Sequence, residues 1–97
     1  MIRAHAQVPT DRAGRYLTQL CSHFAHKVQA EWDDRRGFAD FGWGTCTLIA
    51  TPDALLLHAE ADDEAGLGRV QHVLTDHAER FGTRDGLTVV WQRSPGH

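Results

Sequence analysis

Ile2-Arg3-Ala4-His5-Ala6-Gln7-Val8, followed without a gap by Pro9-Thr10-Asp11 and the run from Ala13 to Phe24, is the stretch on which the fold turns. Its first seven residues alternate. Ile2, Ala4, Ala6 and Val8 fall on one side, and Arg3, His5 and Gln7 on the other, which is the two-residue period of a half-buried strand. The period then changes. Ala13, Tyr16, Leu17, Leu20, Cys21 and Phe24 recur at i, i+3, i+4, i+7, i+8 and i+11, a single helical stripe. Thr10 is placed to cap that helix, and Asp11 puts negative charge at the positive end of its dipole. His26 and Lys27 fall near the helix end, where cations are favoured.

Outward from this strand–helix unit the two-residue period returns five times. Val28, Ala30 and Trp32 alternate with Gln29, Glu31 and Asp33, and Asp34-Arg35-Arg36-Gly37 then reads as a hairpin turn. A short return strand runs through Phe38-Ala39-Asp40-Phe41 and is interrupted by Gly42-Trp43-Gly44, the mark of a bulge or tight turn. Residues 45–50 form the next strand, with Cys46, Leu48 and Ala50 on one face. After the turn Thr51-Pro52-Asp53, the residues Leu55, Leu57, Ala59 and Ala61 line one face of a fifth strand. Asp62-Asp63-Glu64 is an acidic helix start, and Leu67, Val70, Val73, Leu74, His77 and Phe81 form the stripe of a second helix that Gly82 can end. Gly66 and Gly68 are expected to weaken its first turn by ~1 kcal/mol each. Leu87, Val89 and Trp91 alternate in a last strand, and Ser94-Pro95-Gly96-His97 reads as a frayed tail. The order β-α-β-β-β-β-α-β predicts an α+β fold, two helices packed on one face of a mainly antiparallel sheet, in a single domain spanning residues 1–97.

Composition narrows the function classes. A net charge of −3 with scattered basic residues leaves no basic footprint for nucleic acid. No apolar run approaches the ~18 residues of a membrane span, and Met1 to Ala6 lacks the apolar segment of a signal peptide. A cytoplasmic chain is expected, with Cys21 and Cys46 as reduced, unbridged thiols.

Few residues suggest chemistry. Of seven histidines, His5, His58, His72 and His97 occupy outward or terminal positions. His77 lies within an apolar stripe, where a buried imidazole needs a hydrogen-bond partner. Cys21-Ser22-His23-Phe24-Ala25-His26-Lys27 is the densest cluster. His23 flanks the first helix's stripe, and His26 shares its side if the helix continues. With Cys46 these histidines are the residue types that bind zinc, copper or iron, but no paired-cysteine or His-Glu-x-x-His spacing accompanies them, so no metal ligand set is assigned. Lys27 reads as a helix C-terminal cation rather than as a lowered-pKa Schiff-base lysine. Trp32, Trp43 and Trp91 fit either core or the wall of a small-molecule pocket, and the glycines beside Trp43 place it at a cleft. Gly42-x-Gly44 lacks the third glycine and following helix of a dinucleotide fingerprint, and the cofactor is left unknown.

Val8-Pro9-Thr10-Asp11-Arg12-Ala13 with Tyr16-Leu17, then Leu20 to Lys27, resembles the bacterial domain-of-unknown-function family 2218. Gly44 to Leu48, His77 to Phe81 and Leu87 to Trp91 are similar to its later blocks. The resemblance covers nearly the whole chain and carries over His23, His26, Lys27, Cys46 and His77. It implies short stand-alone proteins, or domains joined to flavin-dependent siderophore-interacting reductases, and hence iron or siderophore handling.

Three functions stay open on these grounds. The first is a small-molecule binding or accessory domain linked to iron/siderophore or secondary-metabolite handling, with His26, Lys27, Trp43 and Cys46 as ligand contacts. The second is a small cofactor-free enzyme acting on an aromatic metabolite by proton transfer or carbonyl condensation, with His23 and His77 as general acid and base. The third is a structural domain that mediates association. A small-molecule ligand is the expected partner. A homodimer is left open, as is the flavin reductase that the resemblance implies.

Overall fold

The computed structural model describes residues 1–94. The elements run β1 (Ile2–Pro9), α1 (Ala13–Phe24), β2 (Gln29–Trp32), β3 (Arg36–Asp40), β4 (Thr45–Ala50), β5 (Ala54–Ala61), α2 (Glu64–Phe81), a 3-10 turn (Thr83–Asp85) and β6 (Trp91–Arg93). The six strands form one sheet in the order β2-β3-β4-β5-β1-β6, and every neighbouring pair is antiparallel. This is the expected α+β order, with both helices on one face. No helix among the described residues is long and apolar enough to cross a membrane.

Register explains how the helices sit so close to the sheet. Ala30, Ala39, Cys46, Ala59 and Ala4 stand opposite one another across five strands, a row of small side chains on the inner face. Leu17, Leu20 and Cys21 of α1 and Leu67, Val70 and Leu74 of α2 are fully buried above that face, beside Val8, Leu48, Leu55 and Leu57. These are the stripes legible in the sequence. At about 25 cal/mol per Å² of apolar surface removed from water, their burial is the main stabilising term. The outer face carries Arg3, His5 and Gln7 of β1 beside Leu56, His58 and Glu60 of β5.

Local expectations fail at the element ends. Thr10 does not cap α1: the helix begins at Ala13, its N-cap position is Arg12 with no side-chain cap, and the Thr10 hydroxyl accepts from the Arg12 amide one turn earlier. α1 stops at Phe24, and residues 25–28 close a turn in which the Lys27 and Val28 amides both donate to the Phe24 carbonyl. Asp63 caps α2 and accepts from the Gly66 amide at 2.7 Å. Gly66 is no mere weak point: a Cβ there would lie 2.5 Å from the Trp43 carbonyl oxygen, so its absence lets the 41–44 turn rest on α2. That turn is closed by the Phe41 amide donating to the Gly44 carbonyl, with Gly42 at φ +88°, a left-handed conformation that suits glycine. The last strand is shorter than its alternation suggests. Leu87 packs on Gly82 after the 3-10 turn, and pairing with β1 begins only at Trp91. The predicted fraying concerns a tail of which Pro95, Gly96 and His97 lie outside the described residues.

Candidate functional site at the seam of the two helices

Where α1 and α2 meet, His23 and His77 face each other with ring centroids 4.7 Å apart and planes inclined at 45°. His23 comes from the last turn of α1, so its position depends on that helix ending one residue later. His77 comes from the fourth turn of α2, on the edge of the stripe rather than its centre, and is half-buried. It does not point at the sheet as its place in the stripe suggests. Its Nδ1 lies 2.7 Å from the Val73 carbonyl oxygen one turn back. A carbonyl only accepts, so Nδ1 carries a proton and donates, which in the neutral form of the ring leaves the lone pair on Nε2.

Phenylalanines frame the pair. Phe81 stands edge-on to His23 at 5.5 Å and to His77 at 6.0 Å, and Phe24 stands edge-on to His77 at 5.4 Å. The apolar frame disfavours a charged ring, and partial desolvation is the largest cause holding the His23 pKa below the usual 6.5. The neighbouring charges of His77, His26, Arg80 and Lys27 act in the same direction. His23 is therefore a neutral imidazole at neutral pH. The seam offers two imidazole rings, one with its Nδ1–H engaged by a carbonyl, which can accept or relay a proton or hydrogen-bond a polar ligand.

The other candidate residues are distributed unevenly. His26 and Lys27 lie in the exposed turn after α1, because the helix ends at Phe24 instead of continuing through them. They reach the seam through their charge. Trp43 is connected to it through aromatic contacts: it stacks on Phe41 at 5.1 Å, and Phe41 meets Phe24 edge-on at 5.2 Å. The Arg69 guanidinium lies 4.0 Å above the Trp43 ring, and both line an open groove of about 490 Å³ with Asp40, Glu60, Asp62 and Asp63. Trp43 thus borders a cleft, but a different one from the seam.

Cys46 is not brought to the histidines. It is fully buried in β4, and burial together with the nearby Cys21 thiol raises its pKa far above the ordinary thiol range. Burial pushes Cys21 up to about 11, and both cysteines are free thiols. Neither is open to a ligand arriving from solvent. Among the described residues, no group of three or more His, Cys, Asp or Glu side chains is arranged to hold a metal ion. Trp32 is exposed on an edge strand, while Trp91 donates its indole N–H to Thr75 at 2.7 Å and docks β6 on α2. The residues missed from sequence are Phe24 and Phe81 as the frame of the pair. Their signal was present, since His23-Phe24 and His77…Phe81 put an aromatic next to or one turn from each histidine.

A six-stranded antiparallel sheet with two helices on one face, whose seam holds an aromatic-framed histidine pair, defines a small α+β domain. The chain belongs to the family described as uncharacterized protein conserved in bacteria, domain-of-unknown-function family 2218, whose profile matches residues 5–92. It is similar to the NMR structure of PA4090 from Pseudomonas aeruginosa, at 39% identity and a TM-score of 0.81, over 95% of this chain and 96% of that one. No curated protein matches the chain.

Proposed function

We propose that this protein is a small-molecule binding or accessory domain that holds its ligand against the His23–His77 pair. The observation that carries the proposal is that two imidazoles from separate helices meet at 4.7 Å within an aromatic frame. His23 is exposed and His77 half-buried, so the pair is open to a ligand arriving from solvent. The ligand class is a small metabolite with hydrogen-bonding groups. Iron chelates of the siderophore type are included because of the family resemblance, and with them a flavin reductase as partner.

The test is a set of imidazole nitrogen NMR spectra of the full chain, recorded with ferric catecholate chelates, ferric hydroxamate chelates and aromatic carbonyl metabolites. For the paramagnetic ferric complexes, gallium analogues serve. Saturable perturbation of His23 and His77 in wild type and in His72→Ala, together with loss of the ligand-induced backbone amide shifts in the His23→Ala/His77→Ala double variant, supports the proposal. Perturbation that survives in the double variant, or none with any probe, contradicts it.

A second function is favoured by the fixed His77 tautomer: a cofactor-free acid/base enzyme acting on an aromatic metabolite. His77 Nε2 or neutral His23 would take a proton from carbon next to a carbonyl, and the imidazolium so formed would return it. Exchange of such protons for solvent deuterium, catalysed by wild type and not by the double variant, separates the enzyme from the binding module.

A further inference from the structure

We infer that a second recess, on the other side of Phe81, is a binding site for a small organic anion. It lies between the first half of α1 and the 3-10 turn after α2 and measures about 250 Å³. Arg12, Arg15 and Arg84 line it together with Tyr16, Phe81 and Gln19. Asp85 also lines it, but its carboxylate is already engaged, accepting from the Tyr16 hydroxyl and lying 3.7 Å from Arg12. Arg15 and Arg84 have neither an ion pair nor a side-chain hydrogen bond among the described residues. α1 contains no Asp or Glu from residue 13 to residue 24 to compensate them.

Two free guanidinium groups beside a third, in a chain of net charge −3, form a local site opposite in sign to the whole molecule. The planar fork of arginine fits carboxylate and phosphate oxygens in pairs. The rings of Tyr16 and Phe81 supply contact for an apolar or aromatic body attached to that head group. The volume falls just below the usual range of about 300–1,000 Å³ for ligand pockets, so the ligand is small. This site stands independently of the histidine pair, with which it shares only Phe81.

The test follows the arginine Nε–H signals of the full chain during titration with benzoate, phenyl phosphate, inorganic phosphate and uncharged benzyl alcohol. Saturable shifts at Arg15 and Arg84 with benzoate or phenyl phosphate, and none with benzyl alcohol, are expected. The tighter of the two identifies the head group as carboxylate or phosphate. Arg15→Gln/Arg84→Gln should weaken binding about 10-fold or more while the rest of the spectrum stays dispersed. His23→Ala/His77→Ala should bind as wild type does, so failure here and failure of the histidine site are told apart. The proposal is overturned if no shift saturates, if the arginine double variant binds equally well, or if inorganic phosphate binds as tightly as the aromatic anions.

Discussion

Alanine at Gly66 and at Gly68 should change stability in opposite directions, although the two glycines are two residues apart in the first turns of the same helix. On helix propensity alone both substitutions stabilise, by up to ~1 kcal/mol. At Gly68 that gain is realised: the position is exposed and a Cβ meets nothing within 4 Å, so Gly68→Ala should add about 0.5–1 kcal/mol. At Gly66 the Cβ would stand 2.5 Å from the Trp43 carbonyl oxygen, 3.1 Å from the capping Asp63 carboxylate and 3.2 Å from Ala61 Cβ. The Trp43 carbonyl is backbone in a turn closed by its own hydrogen bond, so it cannot swing aside as a side-chain end would. Overpacking of this kind costs about 1–3 kcal/mol, and disturbing the Asp63 cap adds up to ~1. The net expectation for Gly66→Ala is a loss of about 1–3 kcal/mol. Urea unfolding followed by circular dichroism measures both variants against wild type. A Gly66→Ala protein as stable as Gly68→Ala would refute the close seating of the 41–44 turn on α2.

Other consequences follow from burial and ionisation. His77→Ala removes a half-buried ring and its bond to Val73, and should cost about 1–3 kcal/mol, whereas exposed His72→Ala should stay within about ±0.5; equal urea midpoints for the two would place His77 on the surface. Cys21 and Cys46 should both titrate as free thiols after denaturation without reductant, yet react slowly with a thiol reagent in the native protein, because both are buried and poorly ionised. A reagent that modifies either within the dead time of mixing, without unfolding, would contradict that. The lowered His23 pKa means that the unfolded chain binds the proton more readily than the folded one. Stability contributed by neutral His23 is therefore complete above about pH 6.5 and lost as pH falls through its lower folded value; His23→Gln should flatten that part of the profile, and an unchanged profile would count against the shift.

How much was legible depended on what each signal measures. The strands at 2–8, 45–50 and 54–61 and the stripe from Ala13 to Phe24 are patterns of burial, and burial is what the fold satisfies. Element ends are set by contacts distant in sequence. Thr10 is a good helix cap by type, but its hydroxyl serves the Arg12 amide and α1 starts later. Leu87 alternates with Val89 and Trp91, yet it is buried because Gly82 leaves room for it, not because it pairs in a strand. At the site, His77 was legible as a histidine in an apolar stripe and His23 as a flank residue. Their meeting was not, since it depends on how α1 crosses α2. Cys46 was legible as inward-facing, but the same inward direction removes it from the seam. The arginine recess is not legible in the sequence because Arg84 is far from Arg12 and Arg15, although the spacing Arg12, Arg15, Gln19, His23 along a helix without acidic residues and its N-cap marks one polar face.

The histidine pair itself is tested most directly by imidazole nitrogen NMR of the ligand-free chain across pH. The account predicts that His77 carries its proton on Nδ1, and that His23 titrates below 6.5 and moves upward when His77→Ala removes a neighbouring ring and its charge. A His77 protonated on Nε2 in the neutral form, or a His23 that titrates identically with and without His77, would contradict the seam and every function proposed for it.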